Sequence, residues 1–292
     1  MSYAAILNPL LVLVITSTML ALGMGLNPSD LLATLSRFRL MLKIIVAAFG
    51  ISVAFAWLVL QFAPVSVPCA GALLLLMCMP PAATSAKYAA LAGADQAGAL
   101  AMLVLLSAVA LVATPLLLSV VLPVQGPVDV DSGPIVRMLL LLVISPVAAG
   151  LALRRLAPSR CARLRPAIVV LSNLGLVLVL ALVVSQEYRA ILATPAVALA
   201  TFPVIYAGAY TFGWLMTGPD PRTRFAGAMS CATRNPSIAL LIVNQNFPVS
   251  RIGEEAMDIV LATIVTYAVM ELCLGVLNAV YHARRLHGPA DP

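Results

Sequence analysis

Met77-Cys78-Met79-Pro80-Pro81-Ala82-Ala83-Thr84-Ser85-Ala86-Lys87-Tyr88 lies inside a long apolar stretch and cannot be one regular helix. Pro80 and Pro81 remove two backbone donors, and their rings clash with the preceding turn. Small polar Thr84 and Ser85 follow, then a cation. Met229-Ser230-Cys231-Ala232-Thr233-Arg234-Asn235-Pro236-Ser237-Ile238-Ala239-Leu240 repeats the arrangement, with Pro236 flanked by Thr233, Arg234, Asn235 and Ser237. Freed backbone groups at membrane depth are tolerated only inside protein or beside a wet cavity. A matching pair of interrupted segments in two halves of a chain points to a transporter binding site. Plain proline kinks without a ligand are the blander alternative, but kinks do not explain the cations. An intramembrane Lys or Arg costs ~2.5–3.5 kcal/mol on insertion scales.

Composition identifies the solvent around these breaks. Apolar residues make up 62% of the 292 positions and charged residues 10%, and the mean hydropathy is +1.07. A water-soluble domain of this length needs more polar surface, whereas in lipid apolar side chains face outward as well as inward. No soluble domain can be cut out, so residues 1–292 read as a single membrane domain. Met1–Asn8 carries no basic residue, and no small-residue cleavage site follows before Gly25, so the first helix is expected to stay in the membrane. The five cysteines, Cys69, Cys78, Cys161, Cys231 and Cys273, show no CxxC or CxxH spacing and read as packing residues; no metal and no cofactor are expected.

Apolar runs between polar breaks give about nine transmembrane helices, roughly 4–26, 39–62, 68–93, 95–123, 134–154, 166–186, 194–216, 223–247 and 257–281. With the N-terminus outside, the inner connections collect twelve cations: Arg37, Arg39, Lys43, Arg154, Arg155, Arg160, Arg163, Arg165, Arg222, Arg224, Arg284 and Arg285. The outer side holds three, Arg137, Arg189 and Arg251, and the acids Asp129, Asp131, Glu187, Glu254, Glu255 and Asp258. This asymmetry places the chain in the inner (plasma) membrane with a cytoplasmic C-terminus. It also explains the net charge of +6 without nucleic acid as a partner. Of seventeen basic residues, Lys87 and Arg234 alone are left inside predicted spans.

Glu271, mid-span in the ninth helix, is the only deep acid; it either neutralises Arg234 or Lys87 or takes part in proton traffic. Asn173 reads as a helix–helix hydrogen bond, and Asp95 as the cap of the fourth span. His282 and His287 fall in the tail with the inner basic cluster. No HExxH, GxSxG or paired Asp or His constellation argues for an intramembrane enzyme, and no soluble signalling domain argues for a sensor.

Several segments resemble the bile acid:sodium symporter family. Gly23 with Met24-Gly-Leu-Asn-Pro-Ser-Asp30 looks like the family's GMGL segment. Met79–Asp95 is similar to its CPGGTASN…LAxGD segment, with the same length from proline to aspartate. Thr233–Leu240 looks like its EXGMQNSGLA segment, with Asn235 on the Asn. The resemblance runs from about residue 20 to residue 280. It implies an all-α polytopic fold of inverted repeats, with a core (spans about 39–123 and 194–281) and a panel (about 4–26 and 134–186). The two broken helices would cross in the core, and the first of the family's ten helices is lacking.

The departures from the family concern sodium. The Asn after the family's TAS segment becomes Ala86, although Ser85 is retained; Ser and Thr of the next helix become Ala99 and Leu103. The Glu of the second break becomes Ser230, its Gln becomes Arg234, and a Gln from an earlier helix falls on Ala48. Cations at Lys87 and Arg234 are thus expected to replace the two sodium ions. Arg stays charged, while a lysine buried near another cation gives up its proton more readily, which makes H+ the coupling ion. The expected function is secondary transport of a small or amphipathic organic anion by alternating access, with a site at Pro80, Pro81, Thr84, Ser85, Lys87, Ser230, Thr233, Arg234, Asn235, Pro236, Ser237 and Glu271. Sodium-coupled symport through backbone ligands is the alternative. Arsenite efflux, a related branch using a membrane Cys and a Glu, fits less well: Cys78 lies near the first break, but the Glu expected after the second is Ser237.

Overall fold

The computed structural model describes residues 3–121, 132–192, 194–247 and 249–286. Asp129, Asp131 and His287 lie outside the described residues, as do the side chains of Glu187 and Arg251. The described chain is helical throughout: α1 (Tyr3–Gly25), α2 (Pro28–Leu35), α3 (Phe38–Phe62), α4 (Val67–Met77), α5 (Thr84–Leu91), α6 (Gln96–Val121) and α7 (Gly133–Leu156). It continues with α8 (Pro158–Leu192), α9 (Ala196–Met216), α10 (Pro221–Ala232), α11 (Pro236–Asn246), α12 (Val249–Ile252) and α13 (Glu254–Leu286). Seven of these are long and apolar enough to cross a membrane: α1, α3, α6, α7, α8, α9 and α13. The two other expected spans are each split in two. The protein is an all-α polytopic membrane protein.

The splits fall where the prolines require them. α4 and α11 have eleven residues each, or about 16 Å at 1.5 Å per residue, roughly half the hydrocarbon thickness. Each half-helix therefore ends inside the protein. Gly93, at φ 65°, closes α5 in the left-handed conformation that a Cβ disfavours. Asp95 then starts α6 by accepting the Gly98 N–H at 2.8 Å, the cap expected of it.

Two boundaries differ from the sequence reading. The sixth span is expected from about 166, yet α8 begins at Pro158, because Ala157 alone separates it from α7. Arg160, Arg163 and Arg165 are therefore helical rather than in a connection. His282 belongs to α13, not to a tail: its ring centroid lies 4.8 Å from that of Phe225 and 5.2 Å from that of Trp214. Cys69, Cys78, Cys161 and Cys231 are buried, Cys273 is exposed, and all five are free.

α1 packs along both α7 and α8. The approach is close because both sides use glycine: a Cβ on Gly23 would lie 2.2 Å from the Val147 oxygen, and one on Gly150 2.4 Å from the Leu20 oxygen. α13 packs on α4, α5, α8 and α11. The outer face of α8 presents Val170, Leu174, Val177 and Leu178, all more than half exposed, as a surface facing lipid tails does.

Asp220 precedes Pro221 at the head of α10 and accepts from the Thr223 N–H at 2.9 Å and the Thr223 hydroxyl at 2.5 Å. These bonds hold its carboxyl below the ordinary value of 3.8. The stability they contribute is therefore complete above that value and is lost as pH falls through the lowered one.

Two outcomes follow from this packing. Gly150→Leu is expected to cost about 1–3 kcal/mol through the forced separation of α1 and α7, read as a lower melting temperature in detergent. Gly71→Ala, where a Cβ meets nothing within 4 Å, serves as the neutral control. Asp220→Ala is expected to cost ~0.5–2 kcal/mol at neutral pH, and the gap between its melting temperature and that of the parent protein should close in acid.

Candidate functional site

The first break frees three successive carbonyls, and each has a partner from elsewhere. The Thr114 hydroxyl of α6 donates to the Cys78 oxygen at 2.7 Å. The Arg234 Nη1 donates to the Met79 oxygen at 3.1 Å. The Asn235 N–H donates to the Pro80 oxygen at 3.1 Å, so the two breaks are joined backbone to backbone. At the second break the Tyr267 hydroxyl donates to the Ala232 oxygen at 3.1 Å, and the Arg234 N–H donates to Glu271 Oε2 at 3.0 Å. Asn235 caps α11 by accepting the Ile238 N–H at 3.3 Å.

Arg234 is fully buried at this meeting point. Its Nη2 donates at 2.7 Å to the Ala48 oxygen, which belongs to a π turn, Val46–Ile51, in α3. Such a turn takes carbonyls out of the regular ladder and makes them free to accept. The guanidinium also lies 5.9 Å from the Phe49 ring centroid. Two charge-assisted hydrogen bonds at about 1.5–3 kcal/mol each are enough to offset the ~2.5–3.5 kcal/mol cost of placing the cation there.

Glu271, also buried, does not pair with a cation's side chain. It takes the Arg234 backbone N–H through Oε2 and the Thr84 hydroxyl through Oε1 at 3.4 Å. Among the described residues no ion pair joins it to Arg234 or Lys87. Of the two cations expected in the places of the sodium ions, Arg234 alone among the described residues bonds to the main chain at the breaks. Lys87 lies one turn into α5, is exposed, and donates from Nζ to the Asn173 Oδ1 of α8 at 2.7 Å. Asn173 thus makes the interhelical bond read for it.

The remaining expected residues divide in the same way. Ser230 and Thr233 turn back to their own helix, onto the Ala226 and Met229 oxygens at 2.9 and 2.8 Å. The Ser85 hydroxyl is buried without a partner. Thr84, Lys87, Asn235, Pro236, Ser237 and Glu271 line one cavity of about 90 Å³, closed on the other side by α1 and α8 through Val14, Thr18, Ser172 and Asn173. Pro80 and Pro81 are buried behind it.

Sequence reasoning missed five contributors. The Ala48 oxygen belongs to the main chain, and a π turn leaves no residue signature. Thr114 and the hydrogen-bonded pair Thr18–Ser172 are common residue types in apolar helices. Tyr267 had a usable signal, since it stands four residues before Glu271 and so on the same helix face.

The profile of the Sodium Bile acid symporter family matches residues 12–194. This chain belongs to that family. The matched region holds the first break and the α1 and α8 walls of the cavity, and it ends before the second break. A comparison with curated proteins finds no match. Members of the family are transporters.

Arg234 can be tested as the pin of the crossing. Arg234→Met leaves the Ala48 and Met79 oxygens buried without donors, at about 1–3 kcal/mol each. Its melting temperature in detergent should fall well below that of Lys87→Met, which loses one exposed bond.

Proposed function

We propose that this family member is a secondary active transporter of a small or amphipathic organic anion that works without sodium. The observation that carries the proposal is the buried guanidinium of Arg234, which donates to the Ala48 and Met79 oxygens between the two breaks. Main-chain oxygens at such a break are the kind of ligand a bound sodium ion uses. A fixed unit charge beside such an ion repels it by about 4 kcal/mol at 4 Å with an effective dielectric of about 20. That is roughly a thousandfold in occupancy. Arg234 thus supplies permanently the positive charge that a coupling ion would bring.

Lys87 has a different part in this reading. It stands in the cavity rather than at the crossing, and the N-termini of α5 and α11 open on the same space through Thr84 and Ser237. Helix N-termini and an ammonium together favour an anionic group. The proton on Lys87 is the remaining movable charge, and it is proposed as the coupling ion. The core would comprise α3–α6 and α9–α13, and the panel α1, α7 and α8. Their relative motion would open the cavity to each side in turn, with the C-terminus in the cytoplasm.

Purified protein in proteoliposomes tests this with two sulfonates, taurocholate (amphipathic) and isethionate (small), which stay charged and do not leak as neutral acids. Uptake of at least one is expected to exceed that of empty vesicles and to survive replacement of sodium by potassium. It should also rise with an acid-outside gradient, and Lys87→Gln should abolish that rise. Uptake that requires a sodium gradient overturns the sodium-free reading, and no uptake of either anion overturns transport of this class.

A further inference from the structure

The cavity at the breaks has a neighbour. A second chamber of about 90 Å³ lies between α1, α5, the start of α6 and α8, and shares Thr18, Ala83, Lys87, Ser172 and Asn173 with the first. On α1 the first chamber touches Val14, Ile15 and Thr18, and the second touches Thr18, Ala21 and Leu22. Its centre is therefore about 7 Å further toward the Gly25 end. The Lys87–Asn173 bond and the Thr18–Ser172 pair form the partition.

The two chambers differ in charge. The first is lined by Lys87 and by the carboxyl group of Glu271. The second is lined by Lys87 and Arg165, with Gln96 beside them and no acidic residue among its lining. Arg165 is not needed to hold the helix end nearby. Arg154 does that, donating from Nη1 to both the Met24 and Gly25 oxygens at 3.1 Å. Arg165 makes one long bond, from Nε to the Ala21 oxygen at 3.4 Å, and its terminal nitrogens have no hydrogen bond to a described residue. Gly25 makes room for them, since a Cβ there would lie 2.7 Å from Nη2.

We propose that this chamber is a second anion site, which takes a single monovalent anionic group such as a carboxylate or sulfonate head. Its donors are the terminal nitrogens of Arg165 and the Lys87 ammonium. Lys87 faces both chambers, so an anion crossing the partition keeps one partner throughout and gains a second in Arg165. The volume admits a head group and not a whole amphipathic molecule, so the tail of a large substrate would lie outside the chamber, along the crevice between α5 and α8. The proposal rests on the transport reading for its purpose, but the binding it asserts is independent of flux.

Bromide, a monovalent anion visible by its anomalous scattering, is the probe, soaked into crystals of the whole protein. Peaks are expected in both chambers. In Arg165→Gln the Gly25-side peak should be lost, with affinity about tenfold weaker or more for the missing charge-assisted bonds, while the other peak remains. Arg165→Lys, which keeps the charge, should retain both and controls for folding. Bromide only in the chamber with Glu271 overturns the second site and leaves the transport reading intact. Bromide only in the Arg165 chamber supports the second site and counts against the cavity at the breaks. An Arg165→Gln protein that keeps its Gly25-side peak, or empty chambers throughout, also overturns the proposal.

Discussion

A backbone group inside a membrane has no water to turn to, and this constraint organises the whole core of the protein. Three prolines release carbonyls and N–H groups near the middle of two spans, and each unsatisfied group there costs several kcal/mol. The structure satisfies them crosswise. The second break supplies donors to the first through Arg234 and Asn235, while α6 and α13 cover the remaining ends through Thr114, Tyr267 and Glu271. Neither break is satisfied alone, so the two form as a pair, and the helices around them are held by the same bonds. The π turn of α3 belongs to this set, because it provides the Ala48 oxygen without which one arm of the guanidinium would be unpaired.

The same bonds decide where charge resides. Arg234 is committed to carbonyl oxygens and cannot swing toward a ligand without abandoning them. Glu271 is tied to a backbone N–H and a hydroxyl, and among the described residues no side-chain cation pairs with it. Lys87, held by one bond to Asn173, is the cation free to respond. A fixed cation, a buried acid and a movable cation thus stand in the α10–α11 break, on α13 and on α5.

Much of this was legible in the sequence. The prolines gave the position of both breaks, and the arginine asymmetry left Lys87 and Arg234 as the cations needing an explanation. Asn173 and Asp95 bond as their residue types and positions implied. What was not legible depends on rotation about a helix axis. Lys87 follows Thr84 by three residues, enough to share a broad face with it, yet its long side chain reaches out to α8 rather than in to the crossing. Apolar periodicity cannot report such a difference when nearly every position is apolar. Ala48 shows a second limit: a residue judged by its side chain as having no oxygen to offer contributes its main-chain oxygen instead. The start of α8 shows a third, since arginines that read as a connection continue the helix when one residue suffices to turn the chain.

The contrast between crossing and crevice bears on how such a protein moves. Inside the crossing, bonds run in both directions between α3, the two breaks and α13, several of them charge-assisted and all out of water. Displacing one break from the other would orphan several groups at once. Between α5 and α8 the polar contact is one exposed ammonium–amide bond, whose loss water on either side largely makes good. α1 and α7 are meanwhile joined by close glycine-to-backbone contacts. The polar contact across the chambers is thus far weaker than the set of bonds that joins the two breaks. A displacement at the partition formed by Lys87 and Asn173 would break that one bond and leave every backbone bond of the crossing in place.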